Sequence, residues 1–302
     1  MRVTQSMLSQ NMLRNLSSSY NNMGKLQEQL NTGKKVNRPS DNPVVVMKGM
    51  GYGMQVNKVE QYQKNMGEVN NWLDSSDDAL DGVGQVLHRM KELATNASNT
   101  GTMTETDRNA IATEIGQLRE HLQDVANTKV GDKHIFSGSM TDKPLYNKEK
   151  DKDGNVIGYE QGQSFKNNVE IEVFDGINLR VSTDVSEMFK DIDMMLDKVK
   201  DLTATGSTAT GESFGKLIGD IDGHMDVVLS KRADIGARSN RAELMHNRLE
   251  MQEGAAKKQR SQNEDVDYEK TITDLITSES IHRATLSVGA RIMQPSLMDF
   301  LR

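Results

Sequence analysis

The sequence predicts a mainly α protein with a small β insertion: an elongated antiparallel helical bundle whose N- and C-terminal helices pair as a coiled coil. Three observations carry this. Apolar residues recur at spacings of three and four over most of the 302 residues. The apolar and aromatic fractions are low, 35% and 4%, which suits thin helical packing better than a thick globular core. In the middle of the chain the helical period gives way to strict alternation with turn residues, the pattern of strands and hairpins.

The first helix is expected over Thr4 to Thr32, ending at Gly33, a residue suited to a left-handed cap. Leu13, Leu16, Tyr20, Met23 and Leu30 form a coiled-coil seam that only Gln27 interrupts. So narrow a stripe cannot bury itself. Leu275, Leu286, Met293 and Leu297 supply a matching stripe near the other end, so the two ends are expected to pair. That last register passes through Glu279, His282 and Gly289, with Ile281, Val288 and Ile292 as an alternative contact face.

Between the first two helices, Arg38 Pro39 Ser40 Asp41 Asn42 Pro43 forms an elbow, because the residue before a proline is pushed out of the helical region. An Arg38–Asp41 ion pair is a candidate brace for it. A second helix then starts at Val44 among glycines and runs in register through Val59, Tyr62, Met66, Val69, Leu73, Ser76, Leu80, Val83, Leu87, Met90 and Ala94. After the Asn99 Thr100 Gly101 loop, Thr104 and Asp107 resemble a capping box for a third helix, with Ile111, Ile115, Leu118, Leu122 and Val125 on its apolar face.

Residues 131 to 184 read as the β insertion: Ile135 Phe136 Ser137 Gly138, the Asp153 Gly154 Asn155 turn, and Val169, Ile171 and Val173 alternating with Glu170 and Glu172. Helix returns at Val185, with Met188, Ile192, Met195, Leu196 and Val199 on one face. A Gly/Ser/Thr/Ala loop, Thr203 to Gly211, precedes a long helix from Glu212 to beyond Leu249. The expected domains are 1–43 with 266–302 as a terminal coiled coil, 44–130 with 185–265 as the bundle, and 131–184 as a peripheral β insertion.

Composition excludes several kinds of chemistry. A formal net charge of −7 argues against a phosphate-binding surface, so no nucleic-acid partner is expected. Without cysteine there is no disulfide, thiolate nucleophile or thiolate metal ligand. No apolar run approaches the roughly 20 residues of a membrane span, and the N-terminus lacks the pattern of a cleaved secretory signal. Glu279 and His282 make one Glu-x-x-His pair, half of a bundle di-metal site. Asp151, Asp153 and Asn155 open like a calcium loop, but the glycine falls at the fourth position and not the sixth. The Gly51 Tyr52 Gly53 and Gly82 Val83 Gly84 pairs lie in helices without a preceding strand, and acidic pairs such as Asp77 Asp78 read as solvated faces. No catalytic, cofactor or metal site is expected, and the chain is read as a non-enzyme.

The paired terminal heptads, the Arg38–Pro43 elbow, the Ile235 Gly236 Ala237 Arg238 Ser239 Asn240 Arg241 segment and the closing Ser296 Leu297 Met298 Asp299 Phe300 Leu301 together resemble the flagellin family. Within it, that ending and Ile135–Gly138 resemble the junction-forming members more than the filament-forming ones. The resemblance implies a structural protein, exported through the flagellar type III apparatus with a chaperone and no cleaved signal. It would form a ring with copies of itself outside the cell, between hook-associated protein 1 and the flagellin filament, and be required for motility. Expected assembly contacts are Leu13, Leu16, Tyr20, Met23, Leu30, Arg38, Asp41, Asn240, Arg241, Ile272, Leu286, Leu297 and Phe300. A competing reading is an intracellular helical-bundle scaffold or signalling coiled coil.

Overall fold

The structure, a computed structural model, describes residues 5–98, 104–150, 156–161, 167–203 and 211–292. In chain order the elements are α1 (Gln5–Thr32), α2 (Pro43–Ser98), α3 (Glu105–Ala126), β1 (Lys129–Val130), β2 (Lys133–His134), β3 (Tyr146–Lys150), β4 (Val156–Gln161), β5 (Glu170–Phe174), β6 (Ile177–Arg180), α4 (Ser186–Thr203), α5 (Gly211–Glu264) and α6 (Tyr268–Ile292). Successive strands pair as three two-stranded antiparallel hairpins. The fold is therefore mainly helical with a small β insertion. Two compact units divide it: one holds residues up to Lys58 and from Met251 onward, the other Val59–Glu250.

In the second unit every α2 residue of the expected register is buried, from Val59 at 5% exposure to Ala94 at 1%. Trp72, Ala79, Val86, Leu93 and Ala97 widen the stripe. A helix that packs on more than one side needs more than a two-position seam. Ser76, the polar member, is satisfied within the helix by donating to the Trp72 carbonyl at 2.7 Å. On α5 a strict heptad of Ile221, Val228, Ile235, Ala242 and Leu249 faces the same core, as do Met188, Phe189, Ile192, Met195, Leu196 and Val199 of α4.

Helix α3 starts as its sequence predicts. Thr104 accepts from the Asp107 amide and the Asp107 carboxylate accepts from the Thr104 amide, which satisfies two otherwise free donors. At its other end the Asn127 side chain brackets Tyr146, donating to its carbonyl and accepting from its amide, both at 2.9 Å. Ile135 and Phe136, expected in a strand, are instead buried in a bend after β2, with Phe136 against Phe189 at 5.5 Å between ring centroids. Core packing decides that segment, since two hairpin residues cannot both point inward from a flat strand. Val173 and Leu179 of the β5–β6 hairpin face the core, and Glu170 and Glu172 point outward, as the alternation requires. The Asp153–Asn155 turn lies outside the described residues.

Two arginine forks join helices of this unit. Arg119 of α3 donates to Asp193 at 2.7 and 2.8 Å and also to Asp197, one turn further along α4. Arg232 of α5 does the same with Asp77, at 2.9 and 3.0 Å, and Asp81 on α2. Asp77 is thus a bonded partner and not part of a solvated face, which corrects the sequence reading. Two carboxylates one helical turn apart match the span of a guanidinium, and neither alone suggests a partner on another helix. Gln85, and after it Arg232, holds the Asp81 carboxyl below the usual carboxylate range. A depressed value adds stability that is complete above the unfolded carboxylate range and disappears as pH falls through the folded one. Arg232→Met is expected to move the Asp81 titration upward in a carboxyl-detected NMR titration. An unmoved Asp81 would assign its whole shift to Gln85.

Candidate assembly interface

The first unit is built on α1 and α6, which pair antiparallel. On α1 the positions turned toward α6 are Met12, Leu16, Ser19, Met23, Leu26 and Leu30, all half-buried. On α6 they are Thr271, Leu275, Ser278, His282, Thr285 and Gly289. The ends therefore pair, but through a seam rotated from the expected one. Leu16, Met23 and Leu30 lie in it, whereas Leu13 and Tyr20 stand outside at 53% and 66% exposure. On α6, Leu275 faces the seam and Leu286 does not.

The physical reason is close approach by small residues. A Cβ built at Gly289 would lie 1.7 Å from the terminal methyl of Met12, so the thioether end lies directly over the glycine and would have to swing aside for a larger residue. Ser19, Thr271, Ser278 and Thr285 keep the rest of the seam narrow. His282 packs beside Tyr20, ring centroids 6.1 Å apart, and Glu279 pairs with Arg283 on its own helix.

Larger apolar side chains consequently sit on the two flanks of the pair. At about 100° per residue, Leu13 and Tyr20 of α1 fall on the same side as Ile272, Ile276 and Leu286 of α6. These three α6 residues are 45%, 58% and 47% exposed. The opposite side carries Ile281 and Val288, which with Leu8, Met12, Ala284 and Thr285 line an apolar groove of about 450 Å³. In the sequence Ile281 and Val288 form only an alternative face; Leu8 and Ile276 were missed, although Leu8 stands four residues before Met12 and Ile276 four after Ile272.

The elbow contains a type of turn closed by the Asp41 amide donating to the Arg38 carbonyl at 3.0 Å. Its side chains do not pair with each other. Arg38 reaches Glu28 at 3.7 Å and Asp41 reaches Lys25 at 3.5 Å, both on α1. The proline turn aims both side chains back at the last turns of the preceding helix, which corrects the expected Arg38–Asp41 brace. Asn42 caps α2 by accepting from the Val45 amide, and Pro43 takes the first helical position, where its missing N–H costs nothing.

Asn240 and Arg241 lie exposed on α5 in the second unit. Their neighbour Arg238, not among the expected contacts, donates to the Ser182 carbonyl at 2.9 Å and pins the end of the insertion. Leu297 and Phe300 lie outside the described residues. Among the described residues no three His, Asp or Glu side chains gather as a metal site, and no helix is long and apolar enough to cross a membrane.

Residues 3–141 match the bacterial flagellin N-terminal helical region and residues 218–301 the flagellin C-terminal helical region. Flagellar hook-associated protein 3 of Escherichia coli is 26% identical, with 94% of this chain and 95% of that protein covered. Flagellin of Bacillus subtilis is 24% identical over 97% of each. Among solved structures, a flagellar hook-associated protein from Vibrio parahaemolyticus shares the fold with a TM-score of 0.62 at 22% identity, covering 74% of this chain and all of that one.

Proposed function

The chain belongs to the flagellin family, matching both of its helical regions, and on that premise we propose that it is the structural subunit of the ring joining hook-associated protein 1 to the flagellin filament. It acts by self-assembly and not by catalysis, and motility depends on it. Similarity along nearly the whole chain runs to hook-associated protein 3 at 26% and to flagellin at 24%, so the preference for a junction role over a filament role rests on the Ser296–Leu301 ending and the Ile135–Gly138 segment.

The observation that carries the reading is the placement of apolar side chains on both flanks of the α1–α6 pair. A single apolar face would make a closed dimer. Two unlike faces on opposite sides make a head-to-tail contact, in which each copy meets one neighbour on each side and the series closes as a ring or continues as a helix. Leu13, Tyr20, Ile272 and Leu286 serve one face, and Ile281 and Val288 the other. Leu16, Met23 and Leu30 act by holding the pair together. Arg38, Asp41, Asn240 and Arg241, with Leu297 and Phe300, are further contacts in this proposal.

In the proposed domain scheme, residues 1–43 and 266–302 order fully on assembly. Residues 44–130 with 185–265 form the lateral bundle, and 131–184 face outward. The subunit leaves the cell through the flagellar export apparatus, guided by a chaperone.

An epitope placed in the outer insertion tests the location. In a flagellated bacterium dependent on this chain, gold label is expected at one position, where hook meets filament. Label spread along the whole filament would replace the junction role with a filament role, and swimming cells without the chain would remove the motility requirement.

A further inference from the structure

The α1–α6 seam is poorly equipped to choose its own register. On its α6 side Thr271, Ser278, Thr285 and Gly289 are small, so Leu275 is the one large aliphatic group there against which Met12, Leu16, Met23, Leu26 and Leu30 of α1 could interlock. A coiled coil takes its register from interlocking seam side chains. Here that information must come from elsewhere, and it is present at one end of the pair, where the α1–α2 and α5–α6 connections cross.

At that crossing Lys34 and Asp265 form an isolated antiparallel bridge. The Lys35 amide donates to the Glu264 carbonyl at 2.6 Å, and the Val266 amide donates to the Gly33 carbonyl at 3.0 Å. Gly33 is in the left-handed region at φ +68°, and a Cβ there would lie 2.8 Å from the Tyr268 hydroxyl. Glu264 lies against Gly49: a Cβ there would fall 2.2 Å from its Oε1, so a larger residue would displace the carboxylate from its present place. Lys34 and Arg260 flank that carboxylate at 3.5 and 3.4 Å, and Asn263 donates to the Val45 carbonyl at 2.9 Å. Four segments are tied at one point.

We propose that this knot, centred on Gly33, Gly49, Glu264 and Val266, is the register-setting element of the α1–α6 pair, and thereby decides which flank residues of α1 stand level with which of α6. The pairing that begins at Lys34 and Asp265 continues in one antiparallel register through Tyr20 beside His282 to Met12 against Gly289. Gly33, Gly49, Glu264 and Val266 are positioning residues, since none lies on a flank. The consequence for assembly rests on the function proposed above; the register itself does not.

The chain has no cysteine, so introduced pairs report register without background. Two cysteines cross-link only where their Cα atoms come within about 7 Å. Met12→Cys with Gly289→Cys reports the observed register, and Met12→Cys with His282→Cys a slip of one heptad, both read on the soluble full-length chain under mild oxidation. Gly33→Ala strains the left-handed residue and pushes on Tyr268, whereas Val266→Pro deletes one backbone donor. With a loss of about 1 kcal/mol from the missing bond or from the strained residue, either change is expected to lower the ratio of first to second cross-link by roughly fivefold. Fluorescence of Trp72, buried in the other unit, confirms that this unit is still folded.

An unchanged ratio in both variants overturns the proposal. Sedimentation with flagellin on the same samples keeps the two readings apart. If the unaltered chain does not assemble, the junction function fails, yet the cross-link ratio still decides the knot.

Discussion

A chain carrying Ile281→Asp and Val288→Asp is expected to remain folded as a monomer and to lose nearly all ability to join an assembly. Both side chains are more than half exposed, at 56% and 53%, so replacing them removes little packing within the chain. Surface changes of this kind usually alter stability by no more than about 0.5 kcal/mol. In an assembled state the same positions would be covered. Burying what remains exposed of an Ile or Val side chain contributes about 1 kcal/mol each, and an unpaired carboxylate at a dry contact adds a desolvation cost. Together these weaken each contact by roughly a hundredfold or more. The measurement is sedimentation of the variant with flagellin beside its thermal unfolding. Normal incorporation would remove this flank from the interface, and a fall in monomer stability of several kcal/mol would show that the side chains pack within the chain.

The second large effect is expected in the bundle. Phe189→Ala removes a side chain with no exposure, at the point where α4 meets the bend that holds Phe136. Truncating a buried phenylalanine costs about 3–5 kcal/mol, because the cavity it leaves closes only partly. For a unit of this size that corresponds to a drop of on the order of 10 °C in the melting temperature. Trp72, the only tryptophan and 5% exposed in the same core, reports the transition. Leu244→Ala is the matching control, since Leu244 is 72% exposed on α5 and its loss is expected to change the melting temperature little. Equal effects from the two substitutions would mean that Phe136 and Phe189 do not anchor the insertion.

Much of the helical architecture is legible in the residues themselves. Every position from Val59 to Ala94 read as a core register on α2 is buried, because a helix buried along its length must repeat its apolar residues with the helical period. The Thr104–Asp107 cap and the Pro43 start are local chemistry, written in residues adjacent along the chain. The flagellin resemblance is likewise local, carried by the elbow and by segments near the ends.

What the tertiary structure alone decides is which of several allowed faces meets which partner. On α1 and α6 apolar residues surround much of each helix, so periodicity permits more than one seam. Close approach at Gly289 selects the narrow one and turns Leu13, Tyr20, Ile281 and Val288 outward. The forks of Arg119 and Arg232, and the crossing of Gly33 with Val266, join residues 70 or more positions apart, and no local pattern marks such partners. Sequence periodicity reports how much of a helix is to be covered. Direction, register and partner depend on three-dimensional distances that a one-dimensional pattern does not contain.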